Sequence, residues 1–597
     1  MSQPDAAREP AAAPQPDGLR LALLNNRFEG ISRAMMNTLL RTARSAILNT
    51  ARDFSCCVLT AGDELLAMAE SLPIHVMSGP DLMAAHMKQA HPNLKRGDAF
   101  LNNSPYHGNS HAADWSLLVP VIDDAGVHRY TVLAKAHLAD CGNAIPTTYS
   151  AAARDVYEEG ALIFPCVQVQ HDYQDRADVL EMARTRIRVP ELWHGDFLAL
   201  LGAARIGERR LLELLDELGP QALADYERDW FDYSERRMAD AIGRLPAGRA
   251  VTRGRHDPVP GAPDGVPVQV AVDVDPQAGR IAVDLTDNPD CLPCGLNLTR
   301  ATSKTAAMIG IFTGLGAEVP PNAGSFRRIE VRLRENCVVG IPRHPHSCSA
   351  ATTNLSELTA NLVAGALAEL GEGCGMAATG RNQPPATGVI SGVDPREHGG
   401  PFVNQLMLAV TGGAGGPVAD GWLTTLGIGA AGFLLRDSVE IDEMKYPIRV
   451  HEQRLIADSE GAGRRRGSPG AHVEYGPVGC ELEVIWLSDG TENPAAGVRG
   501  GLDGAPAQQR LRSADGTLGG ELGTYAQVTV APGERLVSIS CGGAGYGPPR
   551  EREPARVVAD VREGYVTRER ARDTYRVALH PDGTLDADTT TRLRETR

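Results

Sequence analysis

From Leu19 to Arg52 the apolar residues Leu21, Leu24, Phe28, Ile31, Met35, Leu39, Ala43 and Ile47 recur at intervals of three and four, the stripe of an amphipathic helix covering a core. The pattern then becomes that of strands. Asp53 to Leu59 and Leu65 to Glu70 read as a hairpin around Ala61-Gly62-Asp63-Glu64, leading into Leu72-Pro73-Ile74-His75-Val76. A helix is predicted over Gly79 to Ala90 and a strand over Gly97 to Asn103. Leu117 to Ile122 and Tyr130 to Ala136 are apolar strands joined by Asp123-Asp124-Ala125-Gly126. Pro120 has no amide to donate, so the first of these strands is expected at a sheet edge or a bulge.

Val179 to Leu245 reads as mostly helical, with Gly219-Pro220 as a stop between two helices. Arg249 to Pro267, rich in Gly, Pro, Arg and Asp, is expected as a domain boundary. Beyond it, Val268 to Val274 and Arg280 to Leu285 alternate as a hairpin, and Ala301 to Leu315 and Ser349 to Leu370 are helical. After Gly371 short strands alternate with glycine clusters at Gly412 and Gly542 that read as tight turns, and Ala555 to Arg572 reads as one charged helix. The expectation is a multi-domain α+β protein of mixed helices and mostly antiparallel sheets, with a glycine-rich, β-containing C-terminal part. Its divisions are a disordered tail at 1–18, an N-terminal α+β domain at 19–248, a β-rich region at 249–345, a glycine-rich α+β region at 346–548, and a final helix and tail at 549–597.

Length supports more than one core: 597 residues exceed what a single core organises. A formal net charge of -16 argues against nucleic-acid binding, which needs a basic face. Nothing in the chain approaches about 18 consecutive apolar residues, so no spanning helix is expected and the chain is placed in the cytoplasm. Most of the eleven cysteines read as reduced, buried thiols. Cys291-Leu292-Pro293-Cys294 lacks the second pair that a zinc site needs.

The candidate chemistry lies in two H-x-x-D pairs, His111-Ala112-Ala113-Asp114 and His137-Leu138-Ala139-Asp140, placed at the ends of the two strands around Pro120. A hairpin returns His137 to the neighbourhood of His111. Two imidazoles and a carboxylate suit Mn, Fe, Zn or Co better than Ca or Mg. Three protein ligands leave positions for water or substrate. His111, Asp114 and His137 are therefore candidate metal ligands, with Asp140 as an outer partner or proton carrier and His75 and His107 as further outer-shell candidates. The competing reading is that Asp114 caps a helix and the histidines are satisfied loop groups. No G-x-x-x-x-G-K-[ST], H-E-x-x-H or G-x-S-x-G is present, and Gly427 to Gly432 fits G-x-G-x-x-G without a surrounding βαβ pattern.

Several segments together resemble the hydantoinase B/oxoprolinase family: Arg52-Asp53-Phe54-Ser55-Cys56, Pro73-Ile74-His75, Pro105 to Asp114, Ala136 to Gly142, Tyr157-Glu158-Glu159-Gly160, Pro321 to Phe326, Ser459 to Gly463 and Gly542 to Gly547. The resemblance implies a B-type subunit working with an A-type partner of actin-like ATPase fold, a hetero-oligomer in which the partner binds ATP and phosphorylates the substrate. It places the metal on His111, Asp114 and His137, with Zn or Mn foremost. Asn103-Ser104-Pro105 stands where many relatives have Asn-Asp-Pro, which leaves no role for that carboxylate here.

Three functions follow. In the first, the chain is the metal-bearing subunit of an ATP-dependent hydrolase of cyclic amides such as hydantoins, lactams or 5-oxoproline, with Asp140 or His75 moving protons. The second is a subunit of an ATP-dependent ketone carboxylase of the acetone or acetophenone type. The third is a non-catalytic scaffold that completes the partner's site.

Overall fold

The computed structural model describes residues 18–315, 318–380, 384–396, 399–409, 412–423 and 427–595. Residues 1–17 of the expected tail lie outside this range, and Gly18 opens the first helix. The amphipathic stripe forms α1 (Gly18–Thr42), a break, and then α2 (Ala46–Asn49), rather than one helix to Arg52. The break has a tertiary cause: Asp196 Oδ1, 1% exposed, accepts from the amides of Arg44 and Ser45 at 2.6 and 3.2 Å.

Seven strands follow: β1 (Phe54–Thr60), β2 (Leu65–Ala67), β3 (Ala99–Asn102), β4 (Asp114–Ile122), β5 (His128–His137), β6 (Val167–His171) and β7 (Gln174–Asp175). They form one antiparallel sheet in the order β2-β1-β5-β4-β3-β6-β7. Among them lie α3 (Pro73–Val76), α4 (Pro80–Ala90) and α5 (Val156–Glu159); α6 (Ala177–Arg184), α7 (Pro190–Leu218) and α8 (Pro220–Ile242) come after. β1 and β4 are buried along their whole lengths. One face, carrying Cys56, Val58, Leu117, Val132 and Ala134, shares a core with Phe28 and Met35 of α1 and Phe197 and Leu211 of α7. The other face, with Cys57, Leu59, Leu118 and Leu133, shares a core with Met83 and Met87 of α4. Helices on both sides are why these strands read as apolar runs rather than alternating ones.

β4 lies inside the sheet, between β5 and β3, so of the two placements expected for Pro120 the edge is not the one found; the strand instead carries a register shift just beyond it, between Val121 and Ile122. The proline is tolerated because the ladder to β3 spans only Ser116 to Leu118; opposite Thr131 the strand has a partner on one side only.

The second sheet is β8 (Gly248–His256), β9 (Val266–Asp275), β10 (Arg280–Asp284) and β11 (Ile329–Arg332), in the order β11-β10-β9-β8. The first part of the Gly- and Pro-bearing stretch expected as a boundary is thus a paired strand, β8. α9 (Arg300–Phe312), α10 (Ala323–Phe326) and α11 (Asn354–Leu370) accompany this sheet, and α9 also shares the second core of the first sheet through Met308 and Ile309.

The C-terminal part holds β12 (Val389–Asp394), β13 (Gly400–Gln405), α12 (Val439–Lys445), β14 (Ile448–Leu455), β15 (Ala471–Pro477), β16 (Leu482–Leu487), β17 (Gln508–Arg512), β18 (Leu518–Glu521), β19 (Tyr525–Val530) and β20 (Arg535–Ile539), in two antiparallel sheets. The clusters at Gly412 and Gly542 are not tight turns as expected: they are crossing segments at backbone contact. Gly412 N–H donates to Cys541, Gly415 N–H to Ala544 and Gly543 N–H to Ser468. A Cβ on Gly543 would lie 2.0 Å from the Gly413 carbonyl oxygen. The single helix expected over Ala555 to Arg572 is two, α13 (Pro554–Arg562) and α14 (Arg568–Asp573), separated around Gly564 at φ +76°. The tail adds β21 (Ala578–Leu579), β22 (Leu585–Asp586) and α15 (Ala587–Glu595). Among the described residues no helix is long and apolar enough to cross a membrane.

Candidate metal centre

The hairpin of β4 and β5 places Asp114 directly opposite His137 in the ladder. His111 precedes β4 in a loop that is built by asparagines. Asn103 Nδ2 donates to the carbonyls of Ala112 and Leu162, and Asn109 Nδ2 to those of His111 and Asp114. These bonds satisfy carbonyls of a buried loop, that of His111 being shared with the Asp114 amide at 3.3 Å. Gly108, at φ +89°, has no room for a Cβ, which would come within 2.6 Å of Leu82 Cβ on α4.

Asp114 is fully buried, and its two oxygens have separate duties. Oδ1 faces His111 Nε2 at 2.9 Å and His137 Nδ1 at 3.1 Å. Oδ2 accepts from Ser110 Oγ at 2.5 Å and faces His75 Nε2 at 3.3 Å. His111 Nδ1 lies 2.7 Å from the Ser349 carbonyl oxygen, which can only accept, so Nδ1 carries the proton. In neutral imidazole Nε2 is then a lone pair aimed at a carboxylate oxygen. Two acceptors at 2.9 Å need a proton or a cation between them. His137 Nε2 is buried without a partner. The trio's ligand atoms lie within 4.8 Å of one another, and the donor set, with one tautomer already fixed by a carbonyl, fits a divalent transition metal.

His75 is brought in from α3. Its Nδ1 lies 3.1 Å from Ser55 Oγ, which accepts from Leu72 N–H and so has its own proton to give. That leaves the His75 proton on Nε2, toward Asp114 and toward Asp53 Oδ1 at 3.6 Å. Burial outweighs the attraction of Asp114 and holds the His75 pKa down to about 3, so the ring is neutral. Asp53 was not singled out from the sequence as a site residue. Burial pushes its carboxyl up to about 6 against the pull of His137. Lys135, also missed, is 1% exposed; burial lowers its ammonium to about 8, and it donates to Ser110 Oγ at 2.9 Å. Its signal was present, since two residues before His137 on a strand means the same face.

The remaining candidates lie elsewhere. The Asp140 carboxylate accepts from Gly142 N–H, Arg188 N–H and the Arg188 guanidinium, and in this arrangement it anchors the chain that follows His137. His107 is bonded to Ser104 Oγ and lies against the His86 ring, tilted by 33° at 4.3 Å between centroids. Cys291 and Cys294 are free thiols, as are the other nine cysteines. In the Gly427 to Gly432 loop the amides of Ile428 and Gly429 are taken by Glu357.

Compared with known proteins, residues 17–549 match the hydantoinase B/oxoprolinase family. The chain belongs to that family. It is 30% identical to caprolactamase subunit beta of Pseudomonas jessenii, over 96% of this chain and 97% of that one. It is 24% identical to the acetophenone carboxylase delta subunit of Aromatoleum aromaticum, over 99% of this chain and 90% of that one. Among solved structures, the ATP-dependent caprolactamase from Pseudomonas jessenii superposes with a TM-score of 0.84 at 28% identity, covering 97% of this chain and 99% of that one. A nucleotide-free acetone carboxylase shares the fold, with a TM-score of 0.84 at 17% identity over 97% of this chain and 82% of that one. The multi-domain α+β architecture is that of the caprolactamase.

Proposed function

We propose that this chain is the metal-bearing B-type subunit of an ATP-dependent cyclic amide hydrolase, acting on a substrate that an A-type, actin-like ATPase partner phosphorylates. The observation that carries the reading is the convergence of His111 Nε2 and His137 Nδ1 on one oxygen of buried Asp114. Likeness to a caprolactamase beta subunit supports the substrate class, and the subunit naming of that relative supports a hetero-oligomer. Zn or Mn held by His111, Asp114 and His137 supplies Lewis acidity toward a carbonyl oxygen or a water. The protein's own residues prepare the site. Ser349 fixes the tautomer of His111, and Asp114 brings the anionic oxygen. His75, with Nε2–H facing Asp53 and Asp114, sits where a proton can be held beside the reacting group.

The test is ATP-dependent opening of caprolactam, hydantoins and 5-oxoproline by the chain reconstituted with its partner. His111→Ala/His137→Ala is expected to lose metal and more than about a hundredfold in kcat/KM. Hydrolysis unchanged in that metal-free variant would sink the proposal.

A second reading is favoured by the acetophenone carboxylase relative: the same site serving an ATP-dependent carboxylase. Label from bicarbonate entering a carboxylate product in the presence of a ketone and ATP selects it. A purified chain carrying less than about a tenth of an equivalent of metal would favour a scaffold instead.

A further inference from the structure

Asp114 has two oxygens and only one of them faces the two histidines of the candidate centre, so something must hold the carboxylate in that rotation. The polar groups against the other oxygen are Ser110 Oγ at 2.5 Å and His75 Nε2 at 3.3 Å. Ser110 has a single proton. A buried carboxylate accepts it, and the hydroxyl's lone pair must then receive from elsewhere. It receives from Lys135 Nζ at 2.9 Å. An ammonium can only donate, so the polarity of the chain is fixed from end to end: Lys135 to Ser110, Ser110 to Asp114 Oδ2. All three groups are at most 1% exposed, so water does not compete for any of these bonds.

The elements make this rigid. Lys135 stands two residues before the end of β5, across from Ser55 on β1 and Ser116 on β4, where the strand is paired on both sides. Ser116 Oγ in turn donates to Asn109 Oδ1, and Asn109 Nδ2 holds the carbonyls of His111 and Asp114. The loop that carries Ser110 is therefore clamped by the same strand surface that presents Lys135.

We infer that Ser110 and Lys135 are positioning residues that fix Asp114 as a one-oxygen ligand of the metal centre proposed above. The inference rests on that reading. Lys135 has two effects of opposite sign. Its charge repels a dication, while its hydrogen bond orients the Ser110 hydroxyl that holds Asp114. Only the second runs through Ser110, so a double-mutant cycle separates them.

The experiment titrates full-length wild type, Ser110→Ala, Lys135→Met and the double variant with Co2+ against a chelator. The cobalt absorption band serves as a second readout, and far-UV circular dichroism of the metal-free proteins controls for folding. Ser110→Ala is expected to bind Co2+ at least about tenfold more weakly, within the range for losing a partner of a metal ligand. Its band should shift as both Asp114 oxygens gain access to the ion. Lys135→Met should change the affinity by at least about threefold more, in the weakening direction, in wild type than in the Ser110→Ala background. Its charge acts in both backgrounds, and its hydrogen bond in only one. Ser110→Ala binding within about twofold of wild type with an unmoved band, or two substitutions whose effects simply multiply, would overturn the inference and leave the metal site standing. Wild type that binds no Co2+ would overturn both. Should Lys135→Met fail to fold, Ser110→Ala alone decides through its affinity and band.

Discussion

At the scale of residues, two carboxyls, Asp114 buried and Glu227 half-buried, show how neighbours rather than residue type set behaviour. Asp114 is held well below the ordinary carboxylate range in the metal-free chain: burial alone would raise it, and a proton held on His111 against Oδ1 outweighs the burial, the His111 imidazole being raised in turn by Asp114. Glu227 on α8 goes the other way. Burial pushes it up to about 7, against a hydrogen bond from Tyr130 Oη at 2.6 Å and with Glu64 adding repulsion. The sign for stability follows from linkage. A carboxyl whose folded pKa is raised contributes stability below its ordinary range, and that contribution is lost as the pH climbs to about 7. Glu227→Gln, which keeps an acceptor for Tyr130 and cannot ionise, is expected to flatten this part of the profile. Urea midpoints measured across the window should fall with pH more steeply in wild type than in the variant, in which Asp53, pushed up to about 6, still titrates. An equal slope in both would show that Glu227 does not titrate there.

At the scale of elements, the hairpin that carries the site was legible because the apolar runs at Leu117 to Ile122 and Tyr130 to Ala136 are bounded by an unmistakable turn. The register that sets Asp114 opposite His137 follows from it. The end of α1 was not legible, because the apolar stripe continues past the point where Asp196 takes the amides of Arg44 and Ser45. Helix crossings were equally hidden. α9 and α11 cross at Gly310, where a Cβ would lie 2.5 Å from Val363 Cβ and 2.6 Å from the Ala360 carbonyl oxygen. An alanine in a helix interior usually gains about 1 kcal/mol over glycine, but here backbone stands in the way and overpacking costs about 1–3 kcal/mol. Gly310→Ala is therefore expected to lower the urea midpoint. A midpoint at or above wild type would show that the crossing relaxes freely.

At the scale of the whole molecule, the candidate centre is not the property of one segment. β4 and β5 supply Asp114 and His137, and α3 brings His75. The orientation of His111 is set by the Ser349 carbonyl, 238 residues further along the chain. The glycine-rich part is a second long-range construction. Segments around Gly412, Gly461 and Gly542 cross at distances that exclude any side chain, with their amides paired to one another's carbonyls. At Gly543 a methyl would overlap the carbonyls of Gly413 and Gly412 at 2.0 and 2.7 Å. Gly543→Ala is expected to cost more than about 3 kcal/mol, since rigid backbone leaves no way to accommodate it. Limited proteolysis and thermal melting should show that loss, and wild-type resistance in the variant would mean that the crossing gives way to a methyl group.

The sequence by itself determined the helices and strands whose apolar period matches their environment, the α+β class, and the convergence of His111, Asp114 and His137 at one end of a hairpin, because hairpin geometry is local and imidazole and carboxylate spacing is readable. Family resemblance extended over nearly the whole chain for the same reason: its motifs are short and contiguous. The tertiary structure alone decided what depends on distant contacts: Asp53 beside His75, Lys135 behind Ser110, Asp140 turned to Arg188, and glycine clusters that are packed crossings instead of turns. In each case the deciding interaction joins groups that sequence distance does not connect, and burial then makes that interaction strong enough to set the local arrangement.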